Sequence, residues 1–341
     1  MSNDTSGTVP GSVYIYEPNR AASIFFAAAF LASGLFHVWQ CLWYHHWKVT
    51  ALLPFSCALL TAAFATRAYG AFNHYDDAQV YTASTLLMYM SPPLLQLSNF
   101  LLLARLFHFV PYFSPMHPSR MLVTFASLAA VIELLTIAGT AYLTNRDLPD
   151  KSLRVGDTLA KAALVVQLLV AGLFFLLAGI FHRCCRAGGI RTPRVTYPLV
   201  AAYGSMVLLV GRTVYRMVEH FGSPLLSTRV LAEEPLSLGP AVRYEWYFYV
   251  FDAALVLLAV VVWNVVHPGR FLPEDPRRYL AQDGVTVLTG PEWKDSRSLT
   301  ETFFDPFAML TTRGGHQKQF WEHNGYALGA ARRGAGTTRR T

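Results

Sequence analysis

The chain has 341 residues, of which 53% are hydrophobic and only 14% charged, with a formal net charge of +7 and a mean hydropathy of +0.32. This balance excludes an ordinary soluble domain, because too few polar side chains are present to cover a water-facing surface. The apolar residues fall in repeated blocks of about 20, the length that crosses the hydrocarbon core of a bilayer at about 1.5 Å per residue, so the chain reads as an integral, multipass membrane protein.

Residues 1–20 are mostly polar and lack a basic region, and the apolar block behind them is longer than a signal-peptide core, so no cleavage is expected. They form an extracellular segment in which Asn3, in "NDT", is a glycosylation acceptor. Seven apolar spans follow, at residues 21–44, 49–72, 80–108, 120–143, 157–182, 198–220 and 245–266. The expected fold is an all-α, seven-transmembrane-helix bundle over residues 21–266. In the third span, "YMSPPLLQLSNF", Pro92 and Pro93 each remove a backbone donor, which predicts a bent helix whose freed carbonyls are met by neighbouring groups or water. Asn99 in the same span is expected to hydrogen-bond between helices. After Pro268 the composition turns to Gly, Arg, Thr and Pro, ending "ARRGAGTTRRT", and residues 267–341 are expected to be a cytoplasmic, largely disordered tail.

Basic flanking residues are retained on the cytoplasmic side. With the N-terminus outside, seven Lys and Arg residues outside the tail face the cytoplasm against six on the other side, led by the fifth connection "HRCCRAGGIRTPR". An N-out, C-in topology is therefore expected, in the plasma membrane, with an internal membrane as the alternative. Cys41, Cys57, Cys184 and Cys185 imply no disulfide framework, and the adjacent pair Cys184–Cys185 is either a juxtamembrane palmitoylation site or two inert thiols.

Charged side chains inside a membrane cost several kcal/mol unless paired or hydrated. In this topology Arg67, Lys161, Gln167, Arg212, Arg216, Glu219, Glu245 and Asp252 fall in the outer half of the bilayer, and Glu133 lies near the middle. Arg212, Arg216 and Glu219 are spaced i, i+4, i+7 on one face of the sixth helix, and Glu245 and Asp252 are spaced i, i+7 on the seventh, so a salt bridge between these helices is geometrically reasonable. Two accounts of the layer compete. In one, the charges lock the bundle; in the other, Arg67 and the sixth-helix arginines line an outward-facing cavity for the polar head of an amphipathic molecule, with Glu133 and Asp252 as counter-ions or proton carriers. The basic groups outnumber what a single bridge needs, which favours the cavity.

The sequence contains no GxxxxGK[ST], no lysine in the seventh span, no HExxH and no Cys/His zinc spacing. A P-loop ATPase, a retinal Schiff base and a metal centre are therefore not expected, and neither is any cofactor or enzymatic activity. The expected partners are membrane lipids or amphipathic small molecules and not nucleic acid; the oligomeric state is left open.

"GRTVYRMVEHFG", then "YEWYFYVFDAALVL" and "NVVHPGRFL", resembles the fungal seven-helix lipid-translocating exporter family, whose founding members are named for aminocholesterol resistance. The resemblance rests on Arg212, Tyr215, Arg216, Glu219 and Gly222, then Glu245, Tyr249 and Asp252, then Asn264, His267, Pro268 and Gly269. It extends over about residues 14–272 through "YIYEPNRAAS", Arg67, Pro92, Asn99 and Gln167. Ala129 and Thr136 stand where the family's fourth helix carries an Asp and a Gln, with Glu133 one turn away. The resemblance implies export or transbilayer movement of lipids such as sphingoid bases, or resistance to toxic amphiphiles and stress. A receptor or membrane stress sensor on the same seven-helix frame is the rival expectation, disfavoured by the lack of a DRY-like ending on the third helix and of NPxxY on the seventh.

Overall fold

A computed structural model describes residues 18–72, 77–145, 148–222, 244–293, 295, 301–302 and 305. Seven helices run through it: α1 (Arg20–Tyr44), α2 (Leu52–Gly70), α3 (Ala78–Phe109), α4 (Pro118–Thr144), α5 (Asp150–Ala187), α6 (Pro193–Gly222) and α7 (residues 245–265). All seven are long and apolar enough to cross a membrane. Their starts follow from local chemistry. The Asn19 side chain accepts from Ala22 N–H at α1, and that of Asp77 accepts from Gln79 and Val80 N–H at α3. At α4 the His117 ring accepts from Ser119 N–H, and Pro118, which has no N–H to leave unsatisfied, occupies the first position. His45, with φ 55°, ends α1 in a left-handed cap. Asn3 lies outside the described residues.

Consecutive helices pack as neighbours, α7 returns to α1, and α3 sits centrally against α2, α4, α5 and α6. Its apolar window is 61% buried against 22% for α4, which marks α3 as the hub. Large apolar side chains such as Phe25, Leu35, Trp43, Leu134, Leu169, Leu176 and Val218 point outward, the inverse of a soluble bundle and the arrangement a lipid environment requires. Inside, polar groups bind helix to helix: Trp263 Nε1 donates to Asn99 Oδ1 (2.8 Å), and Asn99 Nδ2 to Ser205 Oγ (3.2 Å). Gln96 Nε2 donates to the Gln167 carbonyl (3.0 Å), and Asn264 Nδ2 to Ser33 Oγ (2.5 Å). α3 stays helical through Pro92 and Pro93, both buried. Where α4 meets α5, a Cβ on Gly156 would stand 2.5 Å from Tyr142 Cβ, so only glycine permits the approach.

Two features depart from the expectations above. Within α7, Tyr249–Ala254 is a π-turn between the α-helical stretches Glu245–Phe248 and Leu255–Val265. The chain after α7 is also structured: Arg278–Leu280 pairs antiparallel with Val287–Thr289 in a short hairpin. This hairpin and its flanks close the end of the bundle at which α1 terminates, here the Tyr44 end. Arg105 of α3 donates to the carbonyls of Pro273, Glu274 (3.1 Å) and Asp275 (3.1 Å). Tyr279 stacks on His108 with ring centroids 5.3 Å apart, and its hydroxyl donates to the Pro291 carbonyl (2.7 Å). Trp293 meets His117 edge-on at 4.4 Å, and Arg120 holds Asp295 through Nε (2.6 Å) and an amino nitrogen (3.1 Å). Within the tail expected to be largely disordered, residues 268–293 thus bury Leu272, Tyr279, Leu280 and Ala281, while Val285 is exposed. Residues 306–341 lie outside the described part.

Candidate functional site

The polar side chains gather toward the opposite, Arg20 end of the bundle. The helical spacing of Arg212 and Arg216 aims both guanidiniums from α6 at α7, and Asp252 receives both: Arg212 Nε donates to Oδ1 (2.7 Å) and Arg216 Nε to Oδ2 (2.6 Å), with an Arg216 amino nitrogen also on Oδ2. The π-turn makes this aim compatible with the rest of α7. In an uninterrupted α-helix Glu245, Phe248 and Asp252 would share one face; the wider turn rotates Asp252 toward α6 while Glu245 stays on α2. There Glu245 Oε1 accepts from Arg67 (2.8 Å), and Oε2 from the Asn19 backbone N–H (2.8 Å). The Phe248 ring lies between the two clusters, 4.8 Å from the Arg67 guanidinium carbon and 5.5 Å from that of Arg216, distances suited to cation–π attraction.

Arg216 is the most fully engaged of these cations. Besides Asp252 it donates to Glu219 Oε2 (2.6 Å) and to the Tyr89 hydroxyl (3.0 Å), and it stands 4.6 Å over the Tyr89 ring. Arg212, Arg216 and Asp252 are all buried. Buried ions of this kind persist only when paired and hydrogen-bonded, and here two guanidiniums face two carboxylates. Glu219 gives Arg216 a second carboxylate beside Asp252, and Glu245 holds Arg67.

A small cavity of about 30 Å³ opens beside this cluster between α3, α4, α5 and α6. Arg212, Arg216, His220 and Gln167 form its polar wall, Tyr89 its edge, and Thr136, Thr140, Ala160, Ala163 and Leu164 the remainder. Arg212 makes its hydrogen bond among the described residues through Nε alone, so its terminal amino nitrogens, donors that cannot be deprotonated, are left to serve the cavity. Such an arrangement offers hydrogen-bond donors to an anionic or hydroxylic group of about the size of a water, beside small and apolar residues.

The sequence candidates separate on this geometry. Arg212, Arg216 and Gln167 line the cavity, and Asp252 and Glu219 stand behind the arginines as counter-ions. Arg67 and Glu245 are a distinct pair between α2 and α7, and neither is among the residues that line this cavity. Glu133 lies on α4, one turn from Thr136, and both of its carboxylate oxygens are buried without a described hydrogen-bond partner. Lys161 is held by Asp157 at 2.6 Å, its own neighbour on α5. Sequence reasoning missed Tyr89, Thr140 and His220. His220 continues the Arg212, Arg216 spacing by four residues, a signal that was present; Tyr89 and Thr140 carry no local pattern. Among the described residues no cluster of His, Cys, Asp and Glu is arranged to hold a metal ion.

The chain matches the family model described as "RTA1 like protein" over residues 53–275. It is 38% identical over 299 residues to the lipid-translocating exporter-like protein RTA1 of Leptosphaeria maculans, a match that covers 85% of this chain and 57% of that relative. It is 24% identical to the probable lipid transporter atnI of Emericella nidulans, with 78% and 71% of the two chains covered. It is 23% identical to protoporphyrin uptake protein 1 of Saccharomyces cerevisiae, with 78% and 94% covered. The chain thus spans little more than half the length of its Leptosphaeria relative. No solved structure matches.

Proposed function

Because the chain belongs to the RTA1-like protein family, we propose that it moves amphipathic lipids between the leaflets of a membrane, with sphingoid bases and toxic amphiphiles of similar build as its substrates. The observation that carries this reading is the cavity walled by Arg212, Arg216, His220 and Gln167 within the helical bundle. Moving a head group across hydrocarbon requires a polar way-station, because a bare charge in the core costs several kcal/mol. A hydroxyl of an amino-alcohol head accepts from Arg212 and Gln167, and its ammonium has Glu133 one turn deeper on α4. The relatives named as lipid exporters and transporters support the substrate class. The orientation that fits is N-terminus outside, with the Arg20 end and its cavity facing the exterior of the plasma membrane. Export in that sense would confer drug and stress resistance with no chemical step.

The test is transbilayer movement of a labelled sphingoid base in vesicles holding the purified full-length chain. The wild-type protein speeds the change of leaflet, and Arg212→Gln, which leaves Arg216, Asp252 and Glu219 in place, slows it about tenfold, the loss of one charged contact worth about 1.4 kcal/mol. Equal rates at matched protein content overturn the reading.

A further inference from the structure

A second cavity, of about 340 Å³, lies at the opposite end of the bundle, between the last turns of α5 and the first turns of α6. His182, Arg186, Ile190, Arg191, Val195 and Leu199 line it. The connection between the two helices carries Arg183, Arg186, Arg191 and Arg194, and among the described residues none of the four has a carboxylate within ion-pair distance. This contrasts with Arg67, Arg120, Arg212 and Arg216, each of which holds an acid. These four guanidiniums within twelve residues are all exposed and form a patch of one sign, open to an anion.

The other walls narrow the ligand. The start of α6 at Pro193 carries the positive end of a 30-residue helix dipole. A concentrated anion is what these groups complement together, and Arg186 and Arg191 present planar forks suited to phosphate. On its other flank the cavity is apolar, through Val195 and Leu199, and it continues onto Ile180, Tyr197 and Val200, which are exposed on the outer surfaces of α5 and α6. A free phosphate has no use for that flank, whereas the acyl chains of a phospholipid do. We propose that this crevice is a binding site for an anionic phospholipid: its phosphate seated on Arg186 and Arg191 at the start of α6, its chains running along the α5–α6 surface. The site stands apart from the Arg212 cavity at the other end and does not depend on what that cavity carries.

The experiment titrates dioctanoyl phosphatidate into the purified full-length chain in neutral detergent and counts retained lipid by native mass spectrometry. Wild-type protein is expected to retain one phosphatidate with at least tenfold preference over dioctanoyl phosphatidylcholine. Arg186→Gln/Arg191→Gln lowers that retention about tenfold, and Arg183→Gln/Arg194→Gln, which removes the same charge outside the cavity, leaves it within twofold. All variants are compared at matched melting temperature in the lipid-free detergent. If a variant fails to fold, Arg186→Lys/Arg191→Lys replaces it, and a loss of phosphatidate retention with the charge kept supports fork-like recognition. Equal loss in the two glutamine pairs shows diffuse attraction and overturns the site, as does equal retention of phosphatidylcholine. Full competition by inorganic phosphate at the same concentration overturns the assignment to a lipid.

Discussion

Asp252 is the side chain on which the buried charge depends, since it is the shared partner of Arg212 and Arg216. Asp252→Asn leaves two guanidiniums buried against a neutral amide, and removing one partner of a buried ion pair costs about 3–5 kcal/mol. A melting temperature in detergent well below that of the wild-type protein is the expected result, and an unchanged one refutes the shared-partner account. Arg67→Gln should cost less, because Glu245 keeps the backbone N–H of Asn19 as a donor. At this scale the sequence was legible where spacing is local: i, i+4, i+7 put Arg212, Arg216 and Glu219 on one face, and the structure has Arg216 on Glu219 at 2.6 Å. It was not legible where the partner is remote. Arg67 and Glu245 are 178 residues apart, and no periodicity says that this arginine faces α7 and not the cavity of the sixth helix.

At the scale of the element, the seven helices were legible almost to their ends, because a run of apolar residues of bilayer length has no other stable form in lipid. α5 departs most, running from Asp150 to Ala187 and not 157–182; its first turns, "DKSLRVG", hold Asp150, Lys151 and Arg154 and so carry too little apolar weight to register as span. The π-turn was illegible for another reason. The segment "YVFDAA" consists of residues that sit in an ordinary α-helix, and the wider turn is imposed by the need to direct Glu245 to α2 and Asp252 to α6 at once. Deleting Val250, whose side chain is 45% exposed, takes out the one residue that the wider turn absorbs, so α7 becomes regular while Glu245 and Asp252 keep their relative facing. Both ion-pair clusters are then expected to survive, with a melting temperature close to that of the wild-type chain; a deletion variant that loses either cluster contradicts the account. Gly156→Leu tests the α4–α5 contact, with an expected cost of about 1–3 kcal/mol from overpacking, read by thermal unfolding.

Across the whole molecule the two ends differ: the Arg20 end opens into a polar cavity, and the Tyr44 end is closed by the hairpin and its flanks. That closure was hidden in the sequence because the composition of residues 267–341 is dominated by Gly, Arg, Thr and Pro, which masks the short stretch where Tyr279, Leu280, Val287 and Trp293 find burial. Its hold on the bundle depends on protonation. Burial between α4 and Trp293 pushes the His117 imidazole down to about 4 from its ordinary 6.5, with Asp295 opposing the shift and Arg120 adding to it. In the released state the ring takes up its proton first, so the contribution of His117 is complete above about pH 6.5 and falls as the pH drops toward 4, by on the order of 2–3 kcal/mol. Hydrogen exchange over residues 277–290, corrected for intrinsic rate, should show weaker protection at pH 5 than at pH 7.5, and His117→Gln should flatten that difference; identical protection of the wild-type chain at both values would sink the idea. The neutral tally of the α6–α7 cluster, two guanidiniums against two carboxylates, has a consequence for energetics in a living membrane. A charge that crosses the electric field gains or loses about 2.3 kcal/mol per 100 mV, but a rocking of α6 with α7 carries no net charge through it. Any voltage dependence of the proposed flux then reports the valence of the passenger and not of the protein.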